Sequence, residues 1–73
     1  MKISEVKIGE IVHISQKNKK HSWSSIDIIG RVEIINYHEV HLLLPNGDIS
    51  KQDLEKETEE YEAMVIEPAS EYI

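Results

Sequence analysis

The sequence contains no cysteine. That excludes disulfides and thiolate metal sites, and it fits a reducing compartment. Apolar stretches such as Leu42-Leu43-Leu44 are far short of the roughly 20 residues that a bilayer-spanning helix needs. The opening Met1-Lys2-Ile3-Ser4-Glu5 lacks the apolar core of a signal peptide. The expectation from both is a soluble, cytoplasmic chain with no membrane role. There is no internal repeat and no low-complexity linker. No Gly-rich phosphate loop or paired-carboxylate motif is present. Ser22, Ser24 and Ser25 lie near His21, but a nucleophile needs a base that a third group holds in place. The sequence therefore predicts no enzyme and no cofactor. His13, His21, His38 and His41 have no metal-ligand spacing, and His38 and His41, three apart on a predicted strand, would point to opposite faces. No metal site is predicted.

Leucine is also scarce: four residues against twelve isoleucines. β-Branched side chains pack well on a pleated surface and lose rotamer freedom in helices, so this bias favours strands. At 73 residues the chain allows one domain, here 1–73, with a thin core. Alternation predicts a first strand over Glu10–Ser15, with Val12 and Ile14 on one face and Ile11 and His13 on the other. Gln16–Ser25 has no apolar period and reads as a loop. Ile26–Tyr37 is the strongest strand, with Ile28, Gly30, Val32 and Ile34 sharing one face and Gly30 marking a bulge or bend. Asn36-Tyr37-His38 makes a tight connection. His38–Leu44 follows, with Val40, Leu42 and Leu44 facing in. Pro45-Asn46-Gly47-Asp48 is a hairpin turn signal, because Asn-Gly tolerates positive φ. A short strand starts at Ile49, a helical turn is predicted around Asp53–Lys56, and a final strand runs over Glu62–Glu67 and ends at Pro68. Ala69–Ile73 reads as a frayed tail.

The order of these features resembles the SH3-like small barrels. Lys7-Ile8-Gly9-Glu10-Ile11-Val12 looks like the entry to a first barrel strand, and a long polar loop follows. Gly30-Arg31-Val32-Glu33-Ile34-Ile35 is similar to the second strand. Val40 to Gly47 is similar to the third strand and its turn. Asp53-Leu54-Glu55 resembles the short helical turn before the last strand, Met64-Val65-Ile66. The resemblance covers about 7–67 and implies a mostly β, single five-stranded barrel. The stretch Glu55–Glu62 departs from it in being longer and more acidic.

The formal charge of −6 is unevenly spread. Residues 1–52 carry seven cations and six acids, a net of +1, whereas 53–73 carry eight acids and one lysine, a net of −7. Two binding candidates follow, read as two ends of the molecule. One is the loop 16–25, with Lys17, Lys19, Lys20 and Trp23: lysines can contact phosphates or carboxylates, and an indole can stack on a base or fill a partner's pocket. The competing reading has Trp23 folding back to cover a barrel end. The other is the acidic segment 53–62, with Glu57, Glu59 and Glu60, which can imitate DNA phosphates or simply solubilise an exposed face. Exposed Ile35 or Leu43 would add apolar contacts. The expected function is a non-catalytic binding module. It would be a small accessory or regulatory protein of phage or mobile-element type that engages a basic host protein of a nucleic-acid machine. Direct DNA or RNA binding through the loop, DNA mimicry by the acidic segment, and self-association through Leu43 and the final strand are the alternatives.

Overall fold

The computed structural model describes residues 3–21 and 23–69. After a 3-10 turn at Ile3–Glu5, five strands follow: β1 Ile11–Lys17, β2 Ser25–Asn36, β3 Glu39–Leu43, β4 Ile49–Asp53 and β5 Val65–Pro68. All pairings are antiparallel, and the sheet order is β4-β3-β2-β1-β5. β1 to β4 thus form a meander, and β5 returns to the far side of β1. No α-helix occurs among the described residues.

The core is built from the alternation of the central strands. Val12 and Ile14 of β1, Val32 of β2, Val40 and Leu42 of β3, and Ile66 of β5 are buried, with Val6 from the entry segment beside them. Ile3, Ile28, Ile35, Leu44, Leu54 and Met64 pack against this cluster. Among the described residues no α-helix or second sheet is layered on this one. Val12, Val32, Val40 and Leu42 are nonetheless fully buried, with Ile3, Leu54 and Met64 from outside the strands packed against the cluster. Val6 is buried in this cluster and Ile3 packs against it, so residues ahead of position 7 contribute to the packing.

Four local features differ from the sequence expectation. First, the bulge lies not at Gly30 but at Glu33: Val32 pairs with Leu42 and Ile34 with His41. The inserted residue flips the alternation, so Ile34 is exposed while Ile35 turns to the core. Ile35 is not the exposed contact residue expected, and Leu43 is only half-exposed. Gly30 has a different task. A Cβ there would stand 3.0 Å from Leu42 Cβ and 3.0 Å from the Leu43 carbonyl oxygen, so the missing side chain lets β3 approach β2. Second, the turn expected around Asp53–Lys56 is present as a single hydrogen-bonded turn, closed by the Lys56 N–H to the Asp53 carbonyl at 3.2 Å, but it takes no helical form, and 55–62 is a loop up to the bridge at Tyr61. Third, β5 starts at Val65 rather than Glu62. Fourth, Ala69 is fully buried, and its N–H donates to the Ile11 carbonyl at 3.0 Å, so it extends the β1–β5 pairing instead of fraying. The rest of that tail, 70–73, lies outside the described residues.

The turns follow their residue types. Gly47 takes φ 91° in the β3–β4 hairpin, where the Asp48 N–H donates to Asn46 Oδ1 at 3.0 Å. The two-residue β2–β3 turn instead puts Tyr37 at φ 57°, a left-handed conformation that L residues seldom adopt.

Candidate binding surface

β1 runs on to Lys17, two residues beyond its predicted end, because Gln16 and Asn18 find partners inside the fold. Both are buried. Gln16 Nε2 donates to the Glu62 carbonyl at 3.0 Å. Asn18 Oδ1 accepts the N–H groups of Lys20 and His21, each at 2.9 Å. The Asn18 N–H in turn donates to the Ser24 carbonyl at 3.0 Å, and the Ser24 N–H to that of His21 at 2.8 Å. Among the described residues of the β1–β2 connection, these bonds are local and centred on Asn18. Bonds of this kind restrain the residues that make them, which lowers the entropy lost when such a segment binds.

Trp23 does not fold back over the core. It is 82% exposed, and its ring contact is with His21, centroids 5.1 Å apart and planes tilted by 39°. Lys17, Lys19 and Lys20 are exposed as well. Ser22 lies outside the described residues.

The two candidate features are not two ends of the molecule. The Lys19 N–H donates to the Glu60 carbonyl and the Glu62 N–H to that of Lys17, both at 2.8 Å, and Asn18 bridges Tyr61. Lys19 Nζ lies 2.9 Å from Glu57 Oε2. Thr58 shapes the acidic side, with its Oγ1 accepting the N–H groups of Glu60 at 3.2 Å and Tyr61 at 2.9 Å. A cleft of about 300 Å³ between the two loops is lined by Asn18, Lys20, His21, Glu59 and Glu60. The candidates Lys19, Lys20, Glu57, Glu59 and Glu60 thus come together, while Lys17 joins them through its carbonyl bond to the Glu62 N–H and Trp23 through its ring contact with His21. Glu71 is outside the described residues.

Sequence reasoning missed Gln16, Asn18 and Thr58, which hold these loops. Asn18 carried a usable signal: an Asn opening a polar stretch commonly caps a turn with its own side chain. Also missed was an open apolar groove of about 490 Å³ crossing Ile11, Ile29, Leu43, Leu44 and Pro45. The histidines are dispersed. His13 pairs with Asp27 at 2.9 Å, His38 with Asp53 at 2.6 Å and His41 with Glu39 at 3.3 Å. Among the described residues no three His, Asp or Glu side chains gather into a metal-ligand group, and no helix is long and apolar enough to cross a membrane.

The fold and this surface define a small all-β domain with a mixed-charge, Trp-bearing loop pair. Compared with known proteins, the chain matches no family model, no curated protein and no solved structure significantly.

Proposed function

We propose that the sheet is an SH3-like barrel and that the chain is a non-catalytic protein-binding module, acting through the paired loops 18–24 and 57–62. The observation that carries this reading is the exposure of Trp23, 82%, beside residues that Asn18 ties down by hydrogen bonds. An indole left in water contributes little to a thin core, whereas an exposed tryptophan is among the side chains that most often anchor an interface.

Charge selects the class of partner. Three lysines and four glutamates (57, 59, 60 and 62) share this end of the fold, and Lys19 is already paired with Glu57. A nucleic-acid backbone would meet as much negative as positive charge here, which removes the counterion-release gain on which such binding depends. A basic protein surface, of the kind that handles nucleic acids, would gain from Glu59, Glu60 and the net −6 of the chain. The proposed role is that of an accessory or regulatory protein docking on such a surface.

Capture from the native cell lysate, with and without nuclease, tests this. Capture of a basic protein that survives nuclease and is lost in Trp23→Ala supports the reading. Capture abolished by nuclease points to nucleic-acid binding. Capture competed off by duplex DNA and lost when Glu57, Glu59 and Glu60 become Gln, while Trp23→Ala retains it, points to DNA mimicry.

A further inference from the structure

Among the described residues the sheet has two unpaired edge strands, β4 and β5, and they are built differently. In an antiparallel ladder, directly opposed residues alternate between pairs that exchange backbone hydrogen bonds and pairs that do not. Two bonds fix the phase of β3–β4: the Leu44 N–H to the Asp48 carbonyl at 2.9 Å and the Leu54 N–H to the His38 carbonyl at 2.8 Å. Ser50 and Gln52 then bond to β3 through their partners Leu42 and Val40, while the backbone groups of Ile49, Lys51 and Asp53 point away from the sheet. On β5, the Ala69 N–H bonded to the Ile11 carbonyl sets the opposite end of the sheet. Glu67 bonds to His13, and Ile66 and Pro68 point outward. Pro68 therefore sacrifices no bond to β1, and it removes a donor from the free edge. A four-residue strand ending in an outward proline is a blocked edge.

β4 carries no proline on its free edge, and of its outward carbonyls that of Asp53 accepts the Lys56 N–H at 3.2 Å, which uses one of its two lone pairs and leaves the other open. Its inward side chains are polar, with Gln52 Nε2 donating to Ser50 Oγ at 2.6 Å. Its outer face presents Ile49, Lys51 and Asp53. Lys51 is exposed and makes no ion pair among the described residues. Asp53 uses Oδ1 for both His38 and the Glu55 N–H, which leaves Oδ2 free.

We infer that β4 pairs antiparallel with β4 of a second copy of this chain, centred on Gln52. The sequence Lys51-Gln52-Asp53 is its own complement when reversed. In this register each Lys51 stands opposite the Asp53 of the other copy, twice by the two-fold symmetry, and both are residues whose backbone groups point outward. A register centred on Lys51 would set lysine against lysine. One centred on Ser50 would set Ile49 against Lys51. Opposed unlike charges stabilise a cross-strand pair and like charges destabilise it, so charge selects the first. The overlap is short and the association is weak and reversible. It uses a different surface from loops 18–24 and 57–62 and does not rest on the role proposed for them.

Sedimentation velocity of the full chain, from the micromolar to the millimolar range, tests this. The expected result is a concentration-dependent dimer. Lys51→Asp and Asp53→Lys each place like charges in opposition and should weaken the dimer about tenfold. A one-to-one mixture of the two should restore it as a heterodimer. Because Asp53→Lys also breaks the His38 contact, Lys51→Pro provides a second probe. It imitates Pro68, removes only an outward donor, and should yield a monomer. A chain that stays monomeric at millimolar concentration overturns the proposal, as does a Lys51→Asp or Lys51→Pro variant that dimerises like the parent. Trp23→Ala should leave the dimer unchanged.

Discussion

His38 Nδ1 and Asp53 Oδ1 stand 2.6 Å apart, which ties the β2–β3 turn to the end of β4. The same oxygen accepts the Glu55 N–H at 3.0 Å. The Asp53 carboxyl is held below its ordinary range, first by the Glu55 N–H and then by His38. Asp27 is held low in the same way, by the Ser25 hydroxyl at 2.8 Å and then by His13. A carboxyl depressed in the folded state stabilises the fold above its unfolded pKa, about 3.9 for Asp, and that contribution is lost as pH falls through the folded value. Asp53→Asn should therefore lower stability in urea at neutral pH. The gap from the parent should close in acid, below the depressed pKa. A gap that persists unchanged at the lowest pH would assign the effect to something other than the carboxylate charge.

Gly30→Ala should destabilise the domain by about 1–3 kcal/mol, the range for forcing extra atoms into a packed site. The added Cβ meets both a side chain and a backbone oxygen at 3.0 Å, and the oxygen can retreat only by moving β3. Urea denaturation measures the loss. An alanine variant as stable as the parent would show that β3 yields freely at that point.

Much of the fold is legible in the residues. Val12, Ile14, Val40 and Leu42 alternate as buried strands should, and Pro45-Asn46-Gly47-Asp48 forms the turn its chemistry demands. The bulge is not legible, because Ile34 and Ile35 are both isoleucine. Either can face the core, and only the pairing of Val32 with Leu42 and of Ile34 with His41 decides between them. The candidate surface is half legible. Lys19, Lys20, Trp23, Glu57, Glu59 and Glu60 stand out by type, but their proximity depends on contacts between β1 and the 57–62 loop that no local pattern encodes. Gln16 and Asn18 look like loop residues because they are polar. They are buried because the Glu62 carbonyl and the loop N–H groups satisfy them, a long-range effect that overrides composition.

Asn18→Ala should loosen the loop that carries Trp23. It removes the acceptor of the Lys20 and His21 N–H groups, comparable with losing a helix cap, at a cost of about 1 kcal/mol. Amide exchange at Lys20 and His21 should accelerate while the amides of β3 remain protected. Partner capture should weaken even though every charged and aromatic contact residue is still present. If capture is unchanged while those amides exchange faster, loop order has no part in binding.

Trp23 is the sole tryptophan, and it is exposed, so its fluorescence reports on the loop alone. The native emission should already be that of a water-exposed indole, and urea unfolding should shift it little while circular dichroism records the loss of the sheet. Trp23→Ala should change folding stability by less than about 0.5 kcal/mol, as for surface substitutions away from packed features. In the presence of the captured basic protein the emission should move to shorter wavelength, because a buried anchor loses its water. Truncation of such an anchor costs about 2 kcal/mol or more in binding. The pairing of near-neutral stability with a large binding loss separates an interface anchor from a core tryptophan. A large stability loss in Trp23→Ala, with binding by the folded fraction intact, would return Trp23 to the core and remove the central support of the proposed function.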